Sequence, residues 1–223
     1  MTAVELKNVT KIYGKGEAKT IAVKDINFEA ESGQLVLLEG PSGAGKSTLL
    51  TIMGALQKAS SGQVLIEGQE INALSTKQSD QLRLTTIGFV LQEHNLVPFL
   101  KVKDQFKLVD KVKKYGNLTA KELQELLVQL GIEQLVDKYP NELSGGQMQR
   151  AAIARALYAN PKIILADEPT ASLDSERVKE VGRLFKQLAK EKDKAIILVT
   201  HDQRLEQFSD QIYDVLDGTI SKR

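Results

Sequence analysis

The segment from Gly40 to Ser47 has the residue types and the spacing of a loop that binds phosphate. It begins with glycine and ends in Gly45, Lys46 and Ser47, which is the pattern G-x-x-x-x-G-K-[ST]. The glycines let backbone N–H groups turn inward around phosphate oxygens, and the helix expected after the loop adds the positive end of its dipole. Lys46 would reach the β- and γ-phosphates, and the Ser47 hydroxyl would ligate Mg²⁺. A plain glycine-rich turn is the alternative, and the apolar run Gln34–Leu38 before the loop argues against it.

Two carboxylates follow a second apolar segment. Asp167 and Glu168 come directly after residues 163–166, which have the composition of a buried strand. The carboxyl ends of parallel strands face the crevice in which ligands bind. We therefore expect Asp167 to hold Mg²⁺, directly or through water, and Glu168 to activate or position an attacking water. A solvated acidic loop is the alternative.

A third segment, Leu143–Gln147, has the features of a helix start. Ser144 and Gln147 have the spacing of a capping box, and the two glycines between them leave N-terminal amides accessible. Such a helix start can bind an anion. A plain capped helix is the alternative, and the spacing alone does not decide between them.

The elements that position these residues indicate an α/β fold. Residues 1–40 contain short strands, and residues 163–166 and 195–199 are continuous apolar runs separated by a helical pattern. Continuous apolar strands that alternate with helices predict a mostly parallel sheet covered on both faces. The middle of the chain, about residues 92–160, has helical periodicity, with a capping box at Thr119. We therefore expect one domain over residues 1–223, with a catalytic core at about 1–91 and 161–223 and an inserted helical subdomain at about 92–160.

Composition narrows the class of protein. The chain has 223 residues, 30 Lys and Arg against 29 Asp and Glu, and no cysteine. The near-neutral charge gives no global basic field for nucleic acid, and the lack of cysteine excludes thiolate metal sites and a cysteine nucleophile. No apolar run approaches the roughly 20 residues of a membrane span, and the first residues do not form a signal peptide. We expect a cytosolic protein that reaches a membrane only through a partner.

Taken with the loop and the two carboxylates, Leu143–Gln147 resembles the signature motif of the ABC-type ATPases. Tyr13 resembles the aromatic residue that stacks on adenine in this family, and residues 40–48 resemble its phosphate loop. Gln92 is similar to the glutamine that senses the γ-phosphate and the metal and joins the core to the helical subdomain.

The later motifs of the family follow in order. Residues 163–168 resemble the strand that ends in a magnesium-binding aspartate and a catalytic glutamate, and residues 171–174 resemble the segment called the D-loop. His201 resembles the histidine that contacts the γ-phosphate. Asp174 is expected to act across a dimer, to cap a helix, or both.

The resemblance implies a P-loop NTPase (RecA-like) core, an N-terminal antiparallel β subdomain, and ATP and Mg²⁺ as ligands. It assigns catalytic roles to Lys46, Gln92, Glu168 and His201, and magnesium ligation to Ser47, Gln92 and Asp167. The nucleotide-binding residues that it implies are Tyr13, Gly40, Pro41, Ser42, Gly43, Ala44, Gly45, Lys46, Ser47, Thr48, Ser144, Gly145, Gly146, Gln147 and Asp174. Two copies are expected to sandwich two ATP molecules, each between the phosphate loop of one copy and Ser144–Gly146 of the other.

Within the family, Asn95–Val102 resembles the MacB/LolD-like branch, which powers export and mechanotransmission through a separate membrane permease. Residues 96–102, 160–174 and 200–205 are similar to the haem-efflux ATPases of Gram-positive bacteria. The resemblance implies a permease partner at the inner face of the cell membrane and no nucleic acid partner. Haem, a peptide or antibiotic, and a lipoprotein are the candidate substrates.

Other classes fit less well. A soluble ABC ATPase of DNA repair would carry a long coiled coil, and residues 47–143 have room only for a small helical subdomain. A translation-type ATPase would usually have two cassettes. A small P-loop kinase would leave Ser144–Gln147 and His201 without a role, and a non-catalytic module would not need Lys46 and Glu168 together. The lysines between residues 101 and 114 form either a solvated face or a contact for lipid headgroups or an acidic loop.

Overall fold

The fold, described for residues 1–14 and 16–223 by a computed structural model, consists of two β-sheets and a group of helices. The strands are β1 (Thr2–Tyr13), β2 (Thr20–Glu31), β3 (Leu35–Glu39), β4 (Ser61–Ile66), β5 (Gln69–Glu70), β6 (Ile87–Val90), β7 (Ile163–Asp167), β8 (Ala195–Val199), β9 (Gln211–Leu216) and β10 (Thr219–Lys222). The α-helices are α1 (Lys46–Met53), α2 (Thr76–Thr86), α3 (Val102–Val112), α4 (Ala120–Gln129), α5 (Gly145–Tyr158) and α6 (Ser175–Lys192).

The six-stranded sheet has the order β10-β9-β3-β8-β7-β6. The pairs β9–β3, β3–β8, β8–β7 and β7–β6 are parallel, and only the edge pair β10–β9 is antiparallel. This confirms the predicted α/β fold with a mostly parallel sheet. Because β3, β7 and β8 are neighbours and parallel, the segments that follow their carboxyl ends meet at one edge of the sheet.

Both faces of this sheet are covered, which explains why its strands have continuous apolar sequences. Val36 and Leu38 belong to a core shared with α1 and the antiparallel sheet. Leu35 and Leu37, which point to the opposite face, belong to a second core shared with α5 and α6. Alternate residues of one strand therefore fill two cores, as the period of two of a β-strand requires.

The second sheet has the order β2-β1-β4-β5 and is antiparallel throughout its pairs. It confirms the N-terminal antiparallel β subdomain. Its inward residues, such as Val4, Ile26 and Val64, pack into the core that contains α1.

The helices α3, α4 and α5 occupy the predicted helical segment. Thr119 accepts a hydrogen bond from the backbone N–H of Glu122 and Glu122 caps Thr119 in return, which is the predicted capping box. Leu126 and Leu127 of α4 are buried in the second core. The division into a catalytic core and an inserted helical subdomain stays a prediction.

Some elements carry no strong sequence pattern. The polar helix α2 has no buried residue, and β6 is only four residues long; neither could be identified from periodicity. The helix expected after the phosphate loop begins at Lys46, and the helix expected at Leu143–Gln147 begins at Gly145. Among the described residues, none of the helices combines the length and the hydrophobicity needed to cross a bilayer.

Candidate active site

A cleft of about 430 Å³ lies at the carboxyl edge of β3, β7 and β8. It brings together all of the predicted catalytic and metal-binding side chains. The residues that line it are Ala22, Ser42, Gly43, Gly45, Lys46, Ser47, Thr48, Gln92, Asp167, Glu168, Val199 and His201.

The loop between β3 and α1 requires glycine at two positions. Gly40 has a φ of +146°, and a Cβ atom there would collide with the carbonyl oxygen of Val215. Gly45, the N-cap of α1, has a φ of +102°, and a Cβ atom would lie 2.6 Å from the carbonyl oxygen of Ala22. Other residues would be strained in this backbone conformation. The loop is therefore a tight backbone cradle that opens to the cleft at the N-terminus of a helix, as phosphate binding requires.

Lys46 lies over this cradle. Its Nζ atom donates hydrogen bonds to the carbonyl oxygens of Gly40, at 2.7 Å, and Pro41, at 2.9 Å. The ammonium group is thus held beside the loop amides, where a phosphate oxygen would meet both. This position fits the predicted contact with the β- and γ-phosphates.

Ser47 and Asp167 form an oxygen-rich pair across the cleft. The Ser47 hydroxyl donates a hydrogen bond to Asp167 Oδ2 at 2.9 Å. Burial raises the pKa of Asp167, with a further increase from the charge of Glu168, while Ser47 and Lys46 act in the opposite direction. A cation would favour the ionised carboxylate. One hydroxyl, one carboxylate and the nearby Gln92 amide suit Mg²⁺, which usually takes few protein ligands together with phosphate oxygens and water.

Glu168 is held in an uncommon backbone conformation, with a φ of +47°. Its backbone N–H donates to the carbonyl oxygen of Val199 at 2.8 Å. Its side chain lies 2.8 Å from His201 Nδ1 through Oε1 and accepts a hydrogen bond from the Thr200 hydroxyl at 3.3 Å through Oε2. A non-glycine residue in this region marks strain that is common at functional sites. The contacts leave the carboxylate fixed at the end of the cleft.

The start of α5 does not lie in this cleft. Ser144 caps the helix, since its hydroxyl accepts from the Gln147 N–H at 3.3 Å and its own N–H donates to Gln147 Oε1 at 2.8 Å. A Cβ atom on Gly146 would lie 2.8 Å from the carbonyl oxygen of Ser172. The predicted capping box is present. Within the described residues, however, Ser144–Gln147 does not line the cleft that contains the phosphate loop of the same chain.

Asp174 and Tyr13 also lie outside the described lining of the cleft. Asp174 is the N-cap of α6 and accepts hydrogen bonds from the N–H groups of Glu176 and Arg177, which lower its pKa. Tyr13 ends β1; its hydroxyl lies 2.6 Å from Gln57 Oε1, and Lys11 Nζ lies 5.2 Å from the ring centroid. The helix-capping role of Asp174 is thus present, while adenine stacking on Tyr13 stays a prediction.

The sequence reasoning missed a residue that supports the Gln92 loop. Arg155 of α5 donates hydrogen bonds to the backbone carbonyls of His94, at 3.2 Å, and Asn95. His94 and Asn95 both have positive φ angles, of 56° and 49°. Arg155 lies 60 positions from Asn95, so no local pattern could reveal this link. These hydrogen bonds connect α5 to the loop that carries Gln92.

Comparisons with known proteins identify the family of the chain. The sequence profile of the ABC transporter family matches residues 23–171. A protein of Staphylococcus epidermidis named putative hemin import ATP-binding protein HrtA is 44% identical over 219 residues, which cover 96% of this chain and 97% of that protein. The protein of the same name from Staphylococcus aureus is 44% identical over 220 residues, 98% of this chain and 99% of the relative.

A solved structure extends the comparison to the fold. The ATP-binding cassette MJ0796, in a dimeric post-hydrolysis state bound to ADP and Pi, matches with a TM-score of 0.90 at 40% identity. The match covers 99% of this chain and 97% of that one. The chain therefore belongs to the ABC transporter family, as an ATP-binding and ATP-hydrolysing subunit.

Proposed function

We propose that the cleft binds ATP with Mg²⁺ and that Glu168 activates the water that hydrolyses it. The observation that carries this proposal is that the Ser47–Asp167 pair and the Glu168–His201 pair line one cleft beside the phosphate loop. One pair has the donors for the metal and the other has a base fixed near the position of a terminal phosphate.

The chemistry assigned to each group follows from its place. The water oxygen forms a bond to the γ-phosphorus, the bond from that phosphorus to the β,γ-bridging oxygen breaks, and Glu168 accepts the water proton. Lys46 and the loop amides neutralise the charge on the phosphate oxygens. When bound, Mg²⁺ neutralises further charge, held by Ser47, Asp167 and Gln92. His201 keeps the Glu168 carboxylate aimed along the cleft and contacts the γ-phosphate.

We propose that the complete site needs a second copy of the chain. Ser144–Gln147 forms a helix start with accessible amides, yet it lies outside the described lining of its own cleft. The relative MJ0796 forms a dimer in the ADP- and Pi-bound state. In the proposed dimer, Ser144, Gly145 and Gly146 of one copy face the phosphates held by the other, and Asp174 lies near the interface. Tyr13 of the first copy stacks on the adenine.

The partner proposed for the dimer is an integral membrane permease that holds it at the inner face of the membrane. Phe99, seven residues after Gln92, is 76% exposed, and Tyr139 is 41% exposed. An exposed aromatic ring offers apolar area that a partner can bury. We propose that a permease segment contacts Phe99, and that Gln92, which lines the cleft where the helical subdomain at about residues 92–160 begins, senses the γ-phosphate and the metal.

The proposed cargo of that permease is haem. The support is the 44% identity, over nearly the whole chain, to proteins whose names refer to hemin. Those names say import, whereas the sequence resemblance implies export, and the cassette itself contains no substrate path. We propose export. Deleting this chain's gene in its host should then raise cell-associated haem, and a fall in haem would show import.

The test of hydrolysis uses the purified chain with ATP and Mg²⁺ and no phosphate acceptor. Steady release of phosphate supports the proposal, and Lys46→Ala should abolish it through weaker ATP binding. Lys77→Ala, on the exposed side of α2, is the matched control. Phosphate release that requires an added acceptor would indicate a kinase instead.

The test of the permease is co-purification from the native host. Membranes are solubilised gently, the tagged chain is recovered, and its companions are identified by mass spectrometry. An integral membrane protein in stoichiometric amount supports the transporter assignment. Recovery with ribosomes or DNA would contradict the proposed partner while leaving the ATPase chemistry intact.

A further inference from the structure

The outer side of α3 and the residues just after it form an exposed surface that is both apolar and basic. Its apolar residues are Leu108, 40% exposed, Val112, 58% exposed, and Tyr115, 86% exposed. Its exposed lysines are Lys111 and Lys114. We call these five residues the α3 flank. The catalytic cleft does not use them.

The flank is distinct from the packed side of the same helix. Val102 and Phe106 are buried, and the Phe106 ring contacts the Tyr158 ring of α5 at a centroid distance of 5.3 Å. Leu108 and Val112 are four residues apart, so they lie next to each other along another side of the helix. Leu108 and Val112 therefore lie away from the side of α3 that packs against α5.

The loop that carries Tyr115 is anchored on both sides. Lys113 Nζ donates to the carbonyl oxygen of Ala159, and the Leu118 N–H donates to that of Tyr158 at 2.9 Å. The Asn117 amide bridges Asp110 Oδ1 and the Lys113 carbonyl, at 2.8 Å each. Tyr115 thus projects outward from a segment fixed to the C-terminal end of α5.

The charge of this region is strongly one-sided. Residues 101–115 contain six lysines and two aspartates, a net charge of +4 in a chain whose total is +1, and Asp137 pairs with Lys101 and Lys103 near the start of α3. Both aspartates are engaged, Asp104 with Lys107 at 2.8 Å and Asp110 with the Tyr158 hydroxyl and Asn117. Within residues 1–14 and 16–223, no salt bridge involves Lys111 or Lys114.

We propose that the α3 flank contacts an anionic lipid surface directly. Apolar side chains beside lysines, with a tyrosine at the edge, are the composition of a helix that lies at a bilayer interface. The lysines would meet anionic headgroups while Leu108, Val112 and Tyr115 enter the boundary of the acyl chains. A protein segment that offers only acidic side chains would satisfy the lysines but would leave the three apolar side chains without a complementary partner.

Lipid contact and ATP binding do not compete for the same surface. The flank is fixed at the C-terminal end of α5, whereas Ser144 caps its N-terminal end. The 14 residues of α5 separate these ends by about 21 Å at 1.5 Å per residue. The inference goes beyond the proposed function, because it needs neither a permease nor a bound nucleotide.

The test is flotation of the purified chain with vesicles of phosphatidylcholine, with or without phosphatidylglycerol, at low and high salt. Binding is expected only to the anionic vesicles and should weaken at high salt. Lys111→Gln with Lys114→Gln should lower the affinity about 25-fold, since each lysine near an anionic surface raises the membrane affinity about fivefold. Leu108→Gln with Val112→Gln should also weaken binding, at unchanged charge.

The matched control is Lys77→Gln with Lys179→Gln, which removes the same charge from exposed positions on α2 and α6. It should bind vesicles like the unmodified chain, and all variants should keep their melting temperature and ATP hydrolysis. Failure of the unmodified chain to bind anionic vesicles at low salt overturns the proposal and points to an acidic protein segment. An equal loss in the control also overturns it, since general charge would then explain the binding. ATP hydrolysis in the same preparation tests the proposed function separately.

Discussion

Glu168 Oε1 lies 2.8 Å from His201 Nδ1, although the two residues are 33 positions apart in the chain. The register of the sheet brings them together, because Asp167 at the end of β7 pairs with Val199 at the end of β8. Glu168 follows Asp167 directly and His201 is two residues beyond Val199. Two parallel strands therefore deliver a carboxylate and an imidazole to one position in the cleft.

Glu168→Gln should bind ATP normally and hydrolyse it very slowly. The amide keeps the size of the side chain but cannot accept the water proton, so a rate loss of about 10²–10⁴-fold is expected. The bound dimer should accumulate because ATP persists. Nucleotide binding, phosphate release and size-exclusion chromatography measure the three effects. Hydrolysis at the unmodified rate would show that Glu168 is not the base.

Ser144→Arg should bind ATP but should not form the ATP-driven dimer. The bulky side chain at the N-cap of α5 would occupy the space proposed for the partner's triphosphate. Dimer formation is measured by light scattering on chains that also carry Glu168→Gln, so that bound ATP is not hydrolysed. The matched control is Thr119→Arg, a change at the N-cap of α4, where no nucleotide contact is proposed. Full dimer formation by Ser144→Arg would exclude the composite site.

Arg155→Gln should loosen the loop that carries Gln92. The carbonyls of His94 and Asn95 lose their guanidinium donor, and each hydrogen bond of this kind contributes about 0.5–1.5 kcal/mol net. Hydrogen exchange at residues 91–97 should become faster, and ATP turnover should fall more than ATP affinity. Arg155→Lys keeps the charge but lacks the planar guanidinium group. Its exchange rate and its ATP turnover should therefore lie between those of the unmodified chain and Arg155→Gln. Unchanged exchange in this loop would exclude the supporting role.

Lys194 should make stability depend on pH. Burial, with smaller effects from the charges of Lys113 and Lys192, lowers the pKa of Lys194 to about 8 from 10.5. Between these values the unfolded chain binds the proton and the folded chain does not, so the free energy of unfolding from this group rises with pH across that window. The full rise amounts to about 1.4 kcal/mol per unit of pKa difference.

The measurement for Lys194 is urea unfolding at several pH values between about 7.5 and 10.5. Lys194→Met should lack the rise that the unmodified chain shows, whereas Lys77→Met should keep it. The comparison uses slopes, because methionine also removes the hydrogen bonds to Asn160 and Pro161 and shifts stability at every pH. Equal slopes in the unmodified chain and Lys194→Met would contradict the assignment.

The sequence by itself determined the α/β fold, the phosphate loop and the order of the catalytic motifs. These depend on local rules: glycine at positions of unusual φ, capping boxes at Thr119 and Ser144, and apolar runs for strands buried on both faces. Each is encoded within a few residues, so a linear pattern is enough to predict it.

Only the tertiary structure decided which residues meet. Three contacts join residues that are 33 to 120 positions apart in the chain. They are the contact of Glu168 with His201, the hydrogen bond of Ser47 to Asp167, and the hydrogen bond of Arg155 to the loop that carries Gln92. Strand order and register set these distances, and no local pattern encodes them. The same holds for the α3 flank, since the lysines are visible in the sequence but the exposure of Val112 and Tyr115 depends on which side of α3 packs against α5.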